Sequence, residues 1–270
     1  MSASYLEITT SIGCTVNCRK YCPQEKYREL LGHILPLTLD KFKKLIDTLP
    51  ESVGIIFAGL SEPFLNQQCT DMILYAHKKG HKIIIFSTLV GLKKQDAERI
   101  KDIPFERFVI HLPDAEGNAH IPVTTEYLET LGIIIQNIHN REFMDMGNKF
   151  VTDKHENIIR GNPPPPKKGR LHCYKYEAPD YIMLPNGDVF YCCQMKGLTG
   201  KVGSLYENTY AELTSKYDKI TKNLQTDPDS YCRLCGVSYS LWKYKLMKLA
   251  SKLFPTCDWI ALNKIIFGKK

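Results

Sequence analysis

The sequence has no long hydrophobic run, and apolar runs such as residues 83–86 and 133–135 are short. A bilayer-spanning helix needs roughly 20 predominantly apolar residues, so we predict no transmembrane helix. The first seven residues also lack the basic and apolar regions of a signal peptide, and we therefore predict a cytoplasmic protein. With 43% hydrophobic and 24% charged residues in a chain of 270, the composition excludes disordered and collagen-like proteins and allows one large α/β domain.

Acidic residues are scarce near the end of the sequence. The net charge is +7, and Asp258 is the only acid after Cys235. Residues 240–254 are predicted to form a lysine-rich helix with one apolar stripe, which consists of Trp242, Leu246, Leu249 and Leu253. We expect this stripe to pack on the body of the protein, and attachment of the basic tail to an anionic membrane surface is the alternative. No nucleic-acid partner is expected.

Most of the ten cysteines fall into two groups. The first group is Cys14, Cys18 and Cys22, and the second is Cys173, Cys192, Cys193, Cys232, Cys235 and Cys257. Cys69 lies apart from both, and a buried, inert thiol is the simplest interpretation of it. Thiols in the cytoplasm stay reduced, so the clustering indicates metal binding and not a disulfide framework.

A proline-rich segment divides the sequence into regions. Residues 161–170 include four consecutive prolines, which favour an exposed linker and exclude a helix or inner strand. Residues 1–160 alternate strand-like and helix-like runs, an order that predicts parallel βα units in a doubly wound sheet or partial barrel. Residues 171–237 contain a hairpin that turns at Asn186–Gly187, and we predict a small, cysteine-held module there. Residues 238–270 form the basic tail.

The predicted strands of the first region lie near residues 5–10, 53–57, 81–86, 107–112 and 143–146. Its predicted helices lie near residues 39–49, 66–79, 93–101 and 124–138.

Polar side chains follow each predicted strand at the point where the strand ends. They are Cys14, Cys18 and Cys22 after the first strand, residues 58–63 after the second, Ser87 and Thr88 after the third, His111 and Asp114 at the fourth, and Asp145 at the fifth. Ligands bind at the carboxyl ends of the strands in parallel α/β folds, so we predict one active site at this edge. Taken singly, Asp114 and Asp145 suit turn caps, and His111 is equally well explained as a hydrogen-bonded core residue.

The segment Cys14-x3-Cys18-x3-Cys22, with Tyr21 before its third cysteine, resembles the cluster loop of the radical S-adenosylmethionine (radical SAM) enzymes. That family's pattern is Cys-x3-Cys-x2-Cys, and this sequence has one additional residue before the third cysteine. The resemblance implies a partial (β/α)6 TIM-like barrel and a [4Fe–4S] cluster on these three cysteines, with one iron left for S-adenosylmethionine. It also implies a 5′-deoxyadenosyl radical that removes hydrogen from a substrate. A structural zinc site and ordinary buried thiols are the alternatives for the triplet alone.

A second segment resembles the same family. Glu62 and Pro63, shortly after Gly59, are similar to the Gly-Gly-Glu-Pro stretch that contacts the methionine amino group. Ser87 and Thr88 lie where the family often has Thr-Asn-Gly, near the ribose and carboxylate of the cofactor. The cofactor-binding residues implied by the resemblance are therefore Gly59, Ser61, Glu62, Ser87, Thr88 and, on the fourth strand, His111.

The second group of cysteines resembles the opening of the SPASM module, which holds auxiliary iron–sulfur clusters. The matching residues are Cys173, Cys192, Cys232 and Cys235. The later cysteines of the full module are absent from the sequence, so the arrangement is similar to the shortened form, Twitch, with one auxiliary [4Fe–4S] cluster. Cys193 or Cys257 is an alternative ligand at one of these positions, and four such thiolates are also the ligand set of structural zinc. A cluster with four cysteine ligands has no open iron, so its expected role is electron transfer.

These resemblances predict an oxidoreductase. We expect oxidation of a sugar or cyclitol alcohol, because hydrogen loss from a carbinol carbon leaves a radical whose electron an auxiliary cluster can accept. In layout the chain resembles Twitch-bearing dehydrogenases that oxidise aminocyclitols. Peptide modification, sugar epimerisation and, in a different class, a zinc-stapled binding protein are the alternatives. The expected partners are a small-molecule or saccharide substrate and an external one-electron donor of the flavodoxin or ferredoxin type.

Overall fold

The computed structural model describes residues 5–16, 18, 22, 24–113, 120–145, 165–173, 180–192, 200–228, 230–235 and 238–254. These residues form an α/β fold around an eight-stranded, mostly parallel sheet, with a separate two-stranded sheet. The α/β class with a TIM-like arrangement, predicted from the sequence, is confirmed.

The first half of the chain forms the alternating strands and helices that its apolar runs predict. The strands are β1 (Tyr5–Ile8), β2 (Gly54–Phe57), β3 (Ile83–Ser87), β4 (Arg107–Leu112) and β5 (Arg141–Asp145), and the helices are α1 (Gln24–Leu31), α2 (Leu39–Ile46), α3 (Cys69–Lys78), α4 (Lys94–Ile100) and α5 (Thr125–Asn137). A short 3-10 helix, Pro63–Leu65, lies between β2 and α3. Helix α1 is not predicted from the sequence, because it buries only Gln24 and Tyr27 and has no apolar stripe.

Threonine side chains fix where α2 and α5 begin. The Thr38 hydroxyl accepts the backbone N–H of Lys41 at 3.4 Å, and the Thr124 hydroxyl accepts that of Tyr127 at 3.1 Å. Each cap satisfies a backbone donor that has no partner within the first helical turn. Such a cap stabilises a helix by about 1 kcal/mol.

The described residues of the second half of the chain add five strands and three helices. They are β6 (Leu171–His172), β7 (Asp180–Met183), β8 (Asp188–Phe190), β9 (Lys201–Ser204), β10 (Tyr239–Ser240), α6 (Tyr210–Thr226), α7 (Ser230–Leu234) and α8 (Leu241–Leu253). The predicted hairpin is present as β7 and β8, and its turn residue Gly187 has a φ of +83°, a conformation that favours glycine. Helix α6 begins with a capping box, in which Thr209 and Glu212 each bond the other's backbone N–H.

The main sheet has the strand order β5-β4-β3-β2-β1-β7-β8-β9. Strand β7 is parallel to β1, and Tyr5 pairs with residue 180 while Ile8 pairs with Met183. Six neighbouring strands are therefore parallel, and the sixth comes from beyond the proline-rich segment. The hairpin that we assigned to the small module continues the main sheet. The division into residues 1–160, 161–170, 171–237 and 238–270 stays a prediction.

The sheet has two different faces because side chains alternate along each strand. One face carries residues such as Ile8, Phe57 and Ile110 and packs against the helices in the main hydrophobic core. We call the opposite face the inner face. It carries Phe86 and His111, whose rings lie 6.2 Å apart between centroids.

Helix α8 is oriented differently from the prediction. Met247 and Ala250 are the buried residues of this helix, and the Tyr244 ring stacks on His172 at 3.4 Å between centroids. The predicted stripe of Trp242, Leu246, Leu249 and Leu253 is exposed. The expectation that it packs on the body of the protein is therefore wrong, since the helix has a second apolar side that makes those contacts. Within the described residues, no helix has the length and apolar character to span a membrane.

The buried Asn66 side chain ties the loop after β1 to the start of α2. Its Nδ2 donates to the carbonyl oxygens of Thr10 at 3.0 Å and Leu37 at 2.8 Å. Its Oδ1 accepts the backbone N–H of Gln68 at 2.9 Å. The amide thus satisfies buried backbone groups of three segments that are distant in the sequence.

We expect Asn66→Asp to lower the free energy of unfolding by about 3 kcal/mol at neutral pH, because a carboxylate has no N–H for the two carbonyl groups and is itself buried. Chemical denaturation measures the change. Gln67→Glu is the matched control: it makes the same chemical replacement at the exposed neighbouring residue, and we expect less than about 0.5 kcal/mol. Equal effects of the two substitutions would contradict the role assigned to Asn66.

Candidate functional site

The loops that follow β1 and β2 are hydrogen-bonded to each other. The Thr9 hydroxyl accepts the backbone N–H of Leu60 at 3.2 Å, and the Thr10 hydroxyl donates to the Pro63 carbonyl at 2.9 Å. The hydroxyls of Ser11 and Ser61 lie 3.2 Å apart. The predicted site residue Ser61 is therefore held against the loop that carries the first cysteine group.

Gly59 allows the two loops to approach this closely. Its φ is +96°, and a Cβ at this position would overlap the Thr9 hydroxyl. A side chain would therefore be strained both by the backbone conformation and by the contact. This predicted site residue shapes the rim through its lack of a side chain.

Glu62 joins the loop after β2 to the loop after β3. The carboxylate is buried, and one oxygen accepts the hydroxyl of Ser87 at 2.6 Å and the N–H of Phe64 at 3.3 Å. The other oxygen accepts the backbone N–H of Thr88 at 2.6 Å and its hydroxyl at 2.7 Å. Three of the predicted site residues, Glu62, Ser87 and Thr88, are thus brought into direct contact.

The four hydrogen bonds use all the strong acceptor positions of the Glu62 carboxylate. Burial raises the pKa of Glu62 above its usual range, and the hydrogen bonds oppose that shift because each favours the ionised form. The Ser87 hydroxyl also accepts the N–H of Leu89 at 2.7 Å, and the Thr88 hydroxyl that of Val90 at 3.4 Å. Each hydroxyl therefore links a loop N–H to the carboxylate. Direct contact of these residues with a cofactor stays a prediction.

Leu89 adds backbone strain to this loop. It has a φ of +63° and is buried, and it is the one non-glycine residue with positive φ in the described part of the chain. Backbone strain of this kind persists only where surrounding contacts hold it, and it concentrates at functional sites. The bond from Leu89 N–H to the Ser87 hydroxyl is one such contact.

Gln24, the first residue of α1, organises the first cysteine group. Its side-chain N–H donates to the Cys22 sulfur at 3.1 Å and to the Leu60 carbonyl at 2.5 Å. Its Oε1 accepts the backbone N–H of Cys14 at 3.2 Å. One buried amide therefore connects the first and third cysteines to the loop after β2.

Two further bonds complete the cysteine loop. Arg28, one helical turn after Gln24, donates to the Cys14 carbonyl at 3.3 Å, and the Cys22 N–H donates to the Cys18 carbonyl at 2.9 Å. Sequence reasoning missed Gln24 and Arg28. The signal present in the sequence is their i, i+4 spacing, which begins two residues after Cys22. This spacing puts both side chains on one side of a helix.

The first cysteine group fits a [4Fe–4S] cluster. Cys14 and Cys18 are buried and Cys22 is half-buried, in one loop at the rim of the parallel sheet. Thiolates are the usual ligands of such clusters, and hydrogen bonds to the sulfurs tune the reduction potential. The amide N–H of Gln24 on the Cys22 sulfur is a bond of this type.

His111 lies near the end of β4 on the inner face. Desolvation by burial lowers its pKa from 6.5 to about 4, so the imidazole is neutral at physiological pH. A neutral imidazole offers one donor and one acceptor nitrogen without adding charge. Asp114 and the side chain of Asp145, the other candidates near these strand ends, lie outside the described residues.

The second cysteine group is held partly by the end of the proline-rich segment. Lys167 donates through its ammonium to the carbonyl of Cys235 and, at 3.2 Å, to the hydroxyl of Ser238. The Ser238 hydroxyl in turn bonds the carbonyls of Cys232 at 2.6 Å and Cys235 at 3.2 Å. Strand β10 follows Ser238 and pairs with β6, and Cys173 comes directly after β6. The pairing therefore connects Cys173 to the segment that carries Cys232 and Cys235.

Tyr217, on α6, is buried in the main hydrophobic core, against which Cys192 packs. Burial raises the pKa of its phenol. Cys193 and Cys257, the alternative ligands, lie outside the described residues. Within the described ranges, no three His, Cys, Asp or Glu side chains are placed to hold a single metal ion. In a four-iron cluster each thiolate binds a different iron, so its cysteines lie farther apart than the ligands of a single ion.

We expect Gln24→Met to lower the free energy of unfolding of the metal-free chain by about 1–3 kcal/mol, because the buried Leu60 carbonyl and Cys14 N–H lose their partner. Thermal and chemical denaturation measure this loss, and iron analysis after reconstitution should show less bound iron. Gln68→Met is the control, since Gln68 accepts the Leu39 N–H at an exposed position. If Gln68→Met proves as damaging as Gln24→Met, the amide is not the link described.

We also predict an acid-sensitive contribution from His111. Its folded pKa of about 4 lies below the unfolded value of 6.5, so the unfolded chain binds more protons between these values and stability falls as the pH drops through this window. The loss amounts to at most about 3 kcal/mol. His111→Phe should flatten unfolding free energy against pH between 6.5 and 4, whereas substitution of the exposed His33 should leave the slope unchanged. An unaltered slope in His111→Phe would contradict the prediction.

No protein-family model and no curated protein matches this sequence. Solved structures do match it. BtrN in complex with AdoMet and 2-DOIA has a TM-score of 0.62 and 14% identity, covering 88% of this chain and 93% of BtrN. The protein anSMEcpe with bound AdoMet has a TM-score of 0.57 and 11% identity, covering 97% of this chain and 96% of that one. Streptococcus suis SuiB bound to the precursor peptide SuiA has a TM-score of 0.51 and 12% identity, covering 86% of this chain and 69% of SuiB.

These three neighbours are radical SAM enzymes. At such low identity the likeness concerns the arrangement of the backbone, over nearly the whole length of this chain. The chain therefore has the fold of the radical SAM enzymes.

Proposed function

We propose that this protein is a radical SAM oxidoreductase that oxidises an alcohol carbon of a sugar or cyclitol. The observation that carries the proposal is the cysteine loop at the sheet rim, where the Gln24 amide bonds the Cys22 sulfur and the Leu60 carbonyl. The fold shared with enzymes solved with bound AdoMet supports it. In this proposal Cys14, Cys18 and Cys22 would hold a [4Fe–4S] cluster, and S-adenosylmethionine would bind beside it.

The bound cluster and S-adenosylmethionine supply a 5′-deoxyadenosyl radical, which takes a hydrogen atom from the substrate. The residues of the rim give this chemistry a fixed geometry. Gly59 and Ser61 place the loop after β2 against the cysteine loop, and Glu62 holds the loop after β3 beside it. The neutral imidazole of His111 offers hydrogen bonds to cofactor or substrate from the inner face without adding a charge.

Oxidation of an alcohol fits the presence of two cysteine groups. The carbinol carbon gives up one hydrogen atom, the resulting radical then loses a proton to solvent or a base, and one electron has to leave. In our proposal Cys173, Cys192, Cys232 and Cys235 hold an auxiliary [4Fe–4S] cluster as the acceptor of that electron. The likeness to BtrN, which was solved in complex with AdoMet and 2-DOIA, supports a small-molecule substrate, since the two chains cover most of each other's length.

The proposed electron donor follows from the first step. The first cluster has to be reduced by one electron before S-adenosylmethionine is cleaved, and we propose an external donor of the flavodoxin or ferredoxin type for this reduction. The substrate gives one electron to the auxiliary cluster, so the complete reaction has no net demand for electrons if that electron is passed back to the first cluster. A cytoplasmic location agrees with ten cysteines and with the use of such donors.

Peptide modification is the second candidate function. The observation in its favour is the likeness to SuiB bound to the precursor peptide SuiA and to anSMEcpe with a bound peptide. The chain covers 69% of SuiB, 93% of BtrN and 99% of the peptide-bound anSMEcpe, so coverage does not separate the two candidate functions. The other two alternatives have different requirements. Sugar epimerisation needs a thiol that returns hydrogen to the substrate, and a zinc-stapled binding protein needs only the second cysteine group as zinc ligands.

Two cysteine variants test the proposal. Anaerobically reconstituted wild-type protein should hold about eight irons. Replacement of Cys14, Cys18 and Cys22 together by Ala should remove about four irons and abolish 5′-deoxyadenosine formation under dithionite, because the reducing cluster is gone.

Cys232→Ala with Cys235→Ala should also remove about four irons, but it should keep 5′-deoxyadenosine formation and lose the oxidised product. Deuterium at the carbinol carbon of a candidate sugar or aminocyclitol should appear in 5′-deoxyadenosine.

Cys69→Ala is the control for both variants, since Cys69 is buried outside the two groups and should leave iron content and cleavage unchanged. Circular dichroism checks that each variant is folded. Continued 5′-deoxyadenosine formation by the triple variant would refute the cluster assignment. About four irons with one zinc in the wild type would refute the auxiliary cluster, and deuterium transfer from a peptide in place of a sugar would favour the second candidate function.

A further inference from the structure

Helix α8 exposes a continuous apolar stripe. Its four residues, Trp242, Leu246, Leu249 and Leu253, are between 40% and 66% exposed. Phe254, directly after the helix, is also 56% exposed. Single exposed apolar residues are common on protein surfaces, but a contiguous patch usually marks an interaction site.

Lysines lie on both sides of this stripe. At about 100° per residue, the four stripe residues fall within an arc of about 60° on the helix. Lys245, Lys248 and Lys252 follow on one flank and Lys243 on the other. No Asp or Glu occurs in α8. The helix therefore presents an apolar stripe with three lysines along one flank, and on the other flank the Lys243 ammonium lies over the Trp242 ring at 5.7 Å from its centroid.

The opposite side of α8 fixes this orientation. Tyr244 stacks on His172, Met247 and Ala250 are buried, and the N–H of Leu241 donates to the Arg170 carbonyl at 2.9 Å. The pairing of β10 with β6 holds the residues just before the helix. The stripe thus points outward because the other side of the helix is already packed on the protein.

We propose that the stripe and its flanking lysines, which we call the α8 surface, dock on an anionic lipid surface. Interfacial helices place an apolar face at the level of the acyl chains while lysines extend to the headgroups. The α8 surface has both features, and the lysine stems can reach outward along the apolar stripe. A nucleic acid would use the lysines but has no need for the apolar centre. This inference does not depend on the proposed reaction.

Co-sedimentation of the full chain with vesicles tests the docking. Binding should be clear with vesicles of phosphatidylcholine and phosphatidylserine, weak with phosphatidylcholine alone, and should decrease as salt rises from about 0.05 to 0.5 M. Each lysine near an anionic surface changes binding by about fivefold. Lys245→Gln with Lys252→Gln should therefore weaken binding by about 30-fold.

Lys219→Gln with Lys222→Gln is the matched control. It removes the same charge from exposed positions on α6, and it should weaken binding much less. Leu246→Ser with Leu249→Ser should reduce binding without a loss of stability, because both side chains are exposed. Trp242 gives a direct signal: in a Trp259→Phe chain it is the sole tryptophan, and its fluorescence should shift to the blue on vesicle binding.

Three outcomes would overturn the proposal. Intact protein that ignores anionic vesicles at low salt refutes docking. Equal loss of binding in the α6 and α8 lysine variants shows that net charge alone is responsible. The third outcome is a blue shift of the Trp242 fluorescence as the protein concentration rises without vesicles, together with a dimer in light scattering. That result would assign the α8 surface to contact between copies of the chain.

Discussion

The burial of the Glu62 carboxylate is the constraint on which the rim of the sheet depends. A buried carboxylate without partners costs several kcal/mol, so its four hydrogen bonds have to be present whenever the chain is folded. Those donors belong to two loops. Phe64 lies on the loop after β2, as Glu62 does, and Ser87 and Thr88 lie at the end of β3 and on the loop that follows it. The strained backbone at Leu89 follows from the same requirement. The rim is therefore built by the protein alone, before any cofactor contributes to it.

Local sequence patterns predict most of the first half of the fold because its elements are bounded by local signals. Apolar runs of four or five residues form strands, and threonine caps mark the starts of α2 and α5. Helix α6 has a local signal of the same kind, since Thr209 and Glu212 have the spacing of a capping box. The pairing of β7 with β1 was not predictable, because no local pattern tells a strand which partner it joins.

The site shows the same division between local and non-local information. Strand ends predicted that Gly59, Ser61, Glu62, Ser87 and Thr88 lie together, and the loops bring them together. Gln24 and Lys167 were missed because their importance comes from contacts with segments that are distant in the sequence. The side of α8 that faces the protein was predicted wrongly for a related reason. Helical periodicity identifies a stripe, but the stacking of Tyr244 on His172 decides which side is covered.

The position of β1 between β2 and β7 has a consequence for synthesis on the ribosome. Strand β1 pairs with β2, but it receives its second neighbour, β7, only after residue 183 has been added. At about 5–20 residues per second, this interval is on the order of ten seconds or more. During that time one edge of the nascent central strand has no native partner, and an unpaired edge is a template for association with other chains. The order of the strands along the chain therefore leaves this edge exposed during synthesis, although it is covered in the finished fold.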